Sequence, residues 1–373
     1  MKEIKVLNVY YKETPVGKMA MTRDGKAAFE YEESWLDSGF PISPFSLPLE
    51  KKVFLPNKGH FGGLYGVFAD SLPDAWGNIL LNRILKKQHI DPGRLTPLDR
   101  LAIVGNSGMG ALTYKPEMDL RQQETMEDFD KLAEECSKIL NSEYSEELDR
   151  LYMLGGTSGG ARPKIMTEIE GKSWIIKFPA HIDSQESGLM EYEYSRCARA
   201  CGIQMTETRL FSSKKCQGYF GTERFDRCGT ERIHMLTAAA LLELDFEEPS
   251  LDYHSLMKLT KILTRDSKKD MEQMFLRMCF NVFAHNRDDH SKNFSFLYND
   301  ILDEWHLSPA YDLTYSNTYY GEHTTSVNGN GSNPTKEDLL QVGVQAGLRK
   351  DLCLHKIDEV QECVMAMLSD YIA

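Results

Sequence analysis

The sequence predicts an α+β fold: a small N-terminal α+β domain, then a two-lobed core whose first lobe is a small mixed sheet and whose second is helical. Three observations predict it. Short strand-like runs separated by turn residues open the chain. A glycine-dense loop at 155–161 leads into a second set of strands. From about residue 232 the apolar side chains recur mostly at helical spacing.

The elements follow in order. Residues 7–11, 16–20 and 27–31 read as strands, broken by Glu13-Thr14-Pro15 and Asp24-Gly25. A loop rich in Pro, Ser and Gly runs on to residue 63. A helix is expected from 75 toward 88, with Leu80, Leu81 and Ile84 on one face. Gly108-Met109-Gly110-Ala111-Leu112-Thr113-Tyr114 turns into a strand, and residues 1–115 close a small domain. Residues 116–150 are acidic and helix-prone, with Met126, Phe129, Leu132, Ala133 and Cys136 at apolar spacing, as in a helical connector with one solvated face.

Segment 151–231 holds the glycine loop, a strand over 163–169, the turn Glu170-Gly171-Lys172, a strand over 173–178, a helix over 188–201, and strands over 205–211 and 218–225. Segment 232–373 is helix-rich. Its 234–242 stretch is apolar on most sides. Met271, Met274, Phe275, Met278, Cys279, Val282 and Phe283 form a core stripe on a helix over 270–284. A hairpin over 294–298 and 305–307 turns at Asn299-Asp300. A loop at 328–334 precedes closing helices from Thr335.

Composition limits the function classes. A length of 373 residues suits two to three domains, and 41% hydrophobic content is ordinary for a globular chain. No apolar run reaches the roughly 20 residues that span a bilayer. The charged N-terminus lacks the apolar core of a signal peptide. The eight cysteines contain no C-x-x-C pair; Cys197 and Cys201 share a helix face and suit core packing. The expectation is reduced thiols in a cytoplasmic protein. A net charge of −13 argues against a general nucleic-acid surface.

The chemistry gathers at Asn286-Arg287-Asp288-Asp289-His290-Ser291-Lys292-Asn293-Phe294, followed one hairpin later by Asp312. An Asp, an Asn five positions on and a second Asp after a hairpin is the layout of a phosphoryl-transfer loop. There one carboxylate orients the attacking hydroxyl, while an amide and a second carboxylate hold Mg²⁺ against phosphate. In this reading Asp288 is catalytic, Lys292 steadies the transferred group, and Asn293 and Asp312 are metal ligands. Lys177 lies in the otherwise apolar run Trp174-Ile175-Ile176-Lys177-Phe178. Its ammonium needs an anion, supplied by ATP phosphates and by Glu191 or Glu193 on the next helix. Glu193, one turn before Cys197, is the preferred partner. The loop 155–161 matches neither the Walker pattern nor G-x-G-x-x-G, but Gly159 and Gly160 lie where backbone N–H groups can cradle phosphates. Glu223, Phe225 and Asp226 fall where the small sheet hands over to the helical lobe, with Asp226 available to ribose hydroxyls. His285 and His290 beside Asp288 and Asp289 raise a metallohydrolase alternative, but their spacing matches no H-E-x-x-H pattern.

The chain resembles the HipA-type serine/threonine kinase toxins of bacterial toxin–antitoxin systems. Phe68-Ala69-Asp70-Ser71-Leu72-Pro73-Asp74-Ala75-Trp76-Gly77 and 108–114 carry the resemblance in the N-terminal domain. Gly160-Ala161-Arg162-Pro163-Lys164, Ile176-Lys177-Phe178-Pro179, 223–227, 288–295 and Pro309-Ala310-Tyr311-Asp312 carry it beyond. The resemblance implies Mg²⁺ and ATP as cofactors. It implies Lys177 on ATP phosphate, Glu223, Phe225 and Asp226 at the nucleoside, Asp288 as the catalytic Asp, and Asn293 and Asp312 on the metal. It implies inhibitory autophosphorylation of the glycine loop, where the family's Ser falls on Thr157, with Ser158 beside it. It implies a helix-turn-helix antitoxin that reaches nucleic acid on the toxin's behalf, no membrane partner, and protein substrates such as aminoacyl-tRNA synthetases. Two other readings stay open: a small-molecule kinase of the aminoglycoside or choline kinase type, which shares the Asp-x₄-Asn loop, and an inactive pseudokinase that docks a DNA-binding antitoxin.

Overall fold

A computed structural model describes residues 4–56, 61–118, 128–145, 147–156, 160–180, 183–245, 247–318 and 320–372. The described chain divides into two compact units. One comprises residues up to 186 with 211–236 and 240–243; the other comprises 187–210, 237–239 and 244 onward.

The first unit opens with a four-stranded antiparallel sheet in the order Ala27–Tyr31, Thr14–Met21, Val6–Tyr11, Leu112–Lys115. Leu7, Val9 and Tyr11 alternate inward, the period-two pattern of a sheet with one buried face. Helix Ala75–Lys87 buries Trp76, Leu80, Leu81, Ile84 and Leu85 and places Lys86 and Lys87 in its last turn. Helix Pro97–Val104 starts at a capping box between Thr96 and Asp99, with Pro97 at its first position. Helices Phe129–Leu140 and Leu148–Gly155 follow. A hairpin of Lys164–Ile169 and Lys172–Lys177 pairs antiparallel through its second strand with Tyr219–Glu223.

One core joins these pieces. Trp76, Leu80 and Ile84, Leu132, Cys136 and Ile139, and Ile165, Trp174, Ile176 and Phe178 belong to a single buried cluster. The helix of the N-terminal segment, the acidic connector helix and the small sheet therefore exclude water together.

The second unit is built on helices Ser187–Ala200, Tyr253–Leu263, Lys268–Phe283, Lys336–Gln345 and Lys350–Ile372. The apolar stripe expected on 270–284 is buried from Met271 to Val282, with Phe283 half-buried. The hairpin Ser295–Asn299 with Glu304–Leu307 is antiparallel. Leu251–Asp252 pairs in parallel with Thr325–Ser326. One stretch departs from the helical expectation: His234–Thr237 is a strand, and only Ala238–Leu242 is helical. The Ala238 N–H donates to the Phe294 carbonyl at 2.7 Å, so a tertiary partner replaces a helical one.

Candidate active site

The predicted residues fall into both units. In the second unit, two adjacent aspartates follow helix Lys268–Phe283 with opposite fates. The Asp288 side chain is 59% exposed. Asp289 is fully buried. Its carboxylate accepts from the Tyr253 hydroxyl at 2.9 Å and from the Thr325 N–H at 3.0 Å, and His323 Nδ1 stands 3.0 Å away. The Thr325 hydroxyl donates to the Asp289 carbonyl. Asn281 donates to the Tyr253 oxygen, and Asn286 to Asn281, each at 2.9 Å. Burial, then the Asp289 carboxylate, push the Tyr253 phenol well above its ordinary pKa, so it remains a donor. A buried carboxylate is tolerated only when so satisfied. Asp289 thus fixes the loop backbone while its neighbour Asp288 faces solvent.

Asn293 donates its amide nitrogen to the Asp288 carbonyl at 2.7 Å. That bond commits the nitrogen to the loop and turns Oδ1 into the end offered to a cation. His290 Nδ1 accepts the Lys292 N–H at 3.2 Å, so Nε2, 4.0 Å from Asp288 Oδ1, carries a proton. The Tyr311 hydroxyl donates to the Lys292 carbonyl at 2.5 Å and stands 2.5 Å from Ser295 Oγ. The segment leading into Asp312 is therefore held against residues flanking Asn293. Asp312 itself sits at φ 53, in the left-handed region that non-glycine residues rarely adopt. Asn293 Oδ1 and the Asp312 carboxylate are hard oxygen donors of the kind magnesium takes, and they fit that ion.

In the first unit, Lys177 closes strand Lys172–Lys177 directly opposite Lys164, and its ammonium stands 5.6 Å from the centre of the Phe220 ring. Two lysines facing each other across a hairpin concentrate positive charge. Gly160 has φ +82, the left-handed region that favours glycine, and a Cβ there would lie 2.6 Å from the flexible end of Lys164, which could move aside. Its N–H donates to Asp74 at 3.3 Å, and its carbonyl accepts the Trp76 N–H at 3.2 Å. Trp76 Nε1 donates to the Lys164 carbonyl at 3.1 Å. The first turn of helix Ala75–Lys87 thus spends one of its unpaired N–H groups on the glycine loop. Gly159, Thr157 and Ser158 lie outside the described residues.

Two of the expected residues are engaged elsewhere. Asp226, expected at ribose, is fully buried. It accepts Arg224 on both oxygens at 2.9 and 2.8 Å, Arg227 at 2.6 Å and the Gly110 N–H at 2.8 Å. Burial alone would raise its pKa, but the two arginines and the Gly110 N–H outweigh it and bring it down to about 2. Arg227 and Arg232 donate onward to the carbonyls of Gly108 and Gly110. Asp226 therefore locks the 223–227 segment to the 108–110 turn. Glu193, expected to partner Lys177, is instead ion-paired with Arg196 at 3.1 Å on its own helix. The buried acid of that helix is Glu191, in phase with buried Ser187, Tyr194, Ser195 and Ala198. Glu223, also expected at the nucleoside, pairs with Lys172 at 3.0 Å, and Phe225 is half-buried.

Sequence reading missed Tyr253, Asn281, His323 and Thr325, which immobilise the loop. Only Asn281, a polar residue inside the apolar run Met278-Cys279-Phe280-Asn281-Val282-Phe283, carried a signal.

A lysine-bearing hairpin after a glycine turn, and a helical unit carrying an exposed Asp, an oriented Asn and a strained Asp, define a protein with a kinase-like core. Comparison with known proteins narrows the class. The HipA N-terminal domain matches residues 7–115 and the HipA-like C-terminal domain matches 156–368, and the chain belongs to the HipA family. Two proteins of Sinorhizobium fredii with provisional kinase names are similar. Y4dM is 24% identical over 388 aligned positions, covering 97% of this chain and 91% of that protein. Y4mE is 26% identical over 355, covering 85% of this chain and 78% of that protein. Among solved structures, the HipA, HipB and operator DNA complex of Shewanella oneidensis matches with a TM-score of 0.72 at 17% identity, over 98% of this chain and 90% of that one. The fold is thus a HipA fold. Among the described residues, no helix is long and apolar enough to cross a membrane.

Proposed function

We propose that this HipA-type kinase transfers the γ-phosphoryl group of Mg²⁺-bound ATP to a serine or threonine hydroxyl of a protein. The observation that carries the reading is the 286–293 loop. Its backbone is fixed by the buried Asp289, and it presents an exposed Asp288 carboxylate beside an Asn293 amide whose nitrogen is already spent. Asp288 accepts the hydrogen bond of the incoming hydroxyl and aligns its oxygen for attack. Lys292 steadies the negative charge of the transferred group. Asn293 and Asp312 are the residues that would hold magnesium, which offsets charge on the phosphate oxygens when bound. Lys177, opposite Lys164, pairs with phosphate, and Gly160, with Gly159, lets the backbone approach it. Glu223 and Phe225 serve the nucleoside.

The same reading makes Thr157 or Ser158 an autophosphorylation site. It gives the chain a role as the toxin of a cytoplasmic toxin–antitoxin pair, with a helix-turn-helix antitoxin as partner and a protein such as an aminoacyl-tRNA synthetase as substrate. The Shewanella structure, in which HipA is complexed with HipB and operator DNA, supports such a partner. At a net charge of −13, this chain would meet DNA through that partner and not by its own surface. The four segments 1–115, 116–150, 151–231 and 232–373 are the corresponding N-terminal domain, connector and two lobes.

The test is intact-mass and phosphosite analysis after incubation with Mg²⁺ and ATP, for the wild type and Asp288→Asn. Phosphate on 157 or 158 of the wild type alone is the expected result. Nucleotide binding read by melting temperature, with no phosphate on the chain or on protein acceptors but turnover of small alcohols, would favour a small-molecule kinase. No shift in melting temperature with Mg²⁺ and ATP would leave only a docking module.

A further inference from the structure

Cys197 and Cys201 project from the end of helix Ser187–Ala200, and Cys363 comes from helix Lys350–Ile372. Their three sulfur atoms lie within 4.8 Å of one another. The two helices approach closely at this point: Cys197 Sγ stands 3.9 Å from the Cys363 carbonyl oxygen, and Cys363 Sγ 3.9 Å from the Cys197 carbonyl oxygen. A fourth sulfur, Met367 Sδ, lies 3.9 Å from Cys363 Sγ, one turn along the same helix. Cys197 is buried, whereas Cys201 and Cys363 are half-buried and Met367 is 37% exposed, so the cluster opens to solvent on one side. Among the described residues, no other three groups of His, Cys, Asp or Glu converge this way.

We propose that Cys197, Cys201 and Cys363, with Met367 at the rim, bind a soft d¹⁰ metal ion of the Cu(I) class. The donor set makes the choice. Thiolate and thioether sulfurs prefer such ions, whereas a structural zinc site completes four ligands from Cys, His or carboxylate. Sulfurs around a metal at ~2.3 Å stand ~4 Å apart, so a contraction of less than an ångström closes the site. Each ligating thiol gives its proton to solvent, and no electron changes hands. A disulfide between the helices would need an oxidant that nothing here supplies. The ion would clamp the two helices of one unit. It would also brace the 286–293 loop, because Tyr194, one turn before Cys197, donates its hydroxyl to the Ala284 carbonyl at 2.8 Å.

The test uses the reduced full chain under anaerobic conditions, with Cu(I) supplied from a chromophoric chelator. The wild type is expected to take one ion per chain from the chelator and to melt higher when loaded. Cys197→Ser and Cys363→Ser lose the ion, Met367→Leu holds it more weakly, and Cys228→Ser, at an exposed cysteine elsewhere, holds it like wild type. Met367→Leu preserves an apolar side chain, so it tests the site even if a cysteine variant folds poorly. Failure of the wild type to compete with the chelator overturns the proposal. So does equal retention by Cys363→Ser, or a purified chain lighter by two hydrogens that binds no metal, which would make the cluster a disulfide. None of these outcomes depends on phosphoryl transfer.

Discussion

Asp226 and Asp288 are both aspartates of motif segments, and burial separates their roles. Asp288 keeps its carboxylate in solvent, where a substrate can reach it. Asp226 spends its oxygens on Arg224, Arg227 and the Gly110 N–H, and its charge is what makes burial of the two guanidiniums tolerable. The Arg227 guanidinium shows the strain of that arrangement: burial first, then its neighbours Arg224 and Arg232, bring its pKa down to about 9 against the pull of Asp226. Asp226→Asn keeps the shape and removes the charge. It should therefore destabilise the chain by about 3–5 kcal/mol in urea unfolding at pH 7, because buried arginines are left without their counter-charge. A cost below about 1 kcal/mol would mean that the arginines find water or another anion. The segment's place in the motif was legible in the sequence. Its buried partner was not, because Gly110 lies 116 positions away and no local pattern encodes that approach.

Elements were legible where their period was strong. Helix Ala75–Lys87, the strands of the first sheet and helix Lys268–Phe283 follow from apolar spacing alone. Helix Pro97–Val104 went unread although Thr96, Pro97 and Asp99 spell out its start, because its eight residues give the period little room. Helix Glu33–Ser38 hid in a stretch that read as loop, and the strand His234–Thr237 lacked the alternation that marks a strand. For the candidate site, spacing puts forward a list: Asp288, Asn293, Asp312 and Lys177. What immobilises the 286–293 loop was not legible, since Tyr253, His323 and Thr325 reach Asp289 from 34 to 36 positions away. Close packing between elements is equally silent in the sequence. Gly155 ends helix Leu148–Gly155 so close to the hairpin that a Cβ would stand 2.3 Å from the Lys164 carbonyl oxygen. Gly155→Ala must push the helix off the strand that begins with Lys164. A loss of about 1–3 kcal/mol in thermal or urea unfolding is expected, typical of overpacking. A neutral or stabilising change, which Ala at an unobstructed helix position would give, would show that helix and strand separate freely.

At the scale of the whole molecule, acid should act through the first unit in two stages. His234 is fully enclosed, with its Nε2 2.8 Å from the Ile42 carbonyl oxygen. Burial, only partly offset by that hydrogen bond, brings its pKa down to about 4 from 6.5. The unfolded chain therefore takes up this proton at a higher pH than the folded one. The stability present above pH 6.5 is lost as pH falls toward 4, by about 3 kcal/mol at a cost of 1.36 kcal/mol per unit. The depressed Asp226 works in the next window: its contribution is intact above the ordinary carboxylate pKa of 3.8 and is lost as pH falls through about 2. The two windows meet near pH 4, so a plot of unfolding free energy against pH should fall continuously from about pH 6.5 to about pH 2, first through His234 and then through Asp226. His285, half-buried in the second unit, is shifted the same way by burial and by Arg287, and steepens the first stage. The variant that separates these terms is His234→Gln, which can still donate to the Ile42 carbonyl but cannot take a proton. It should flatten the slope between pH 6.5 and 4 and leave the fall below pH 4 as it was. An unchanged upper slope would assign the first stage to other groups, and loss of the lower fall as well would mean that His234 and Asp226 act as one coupled cluster.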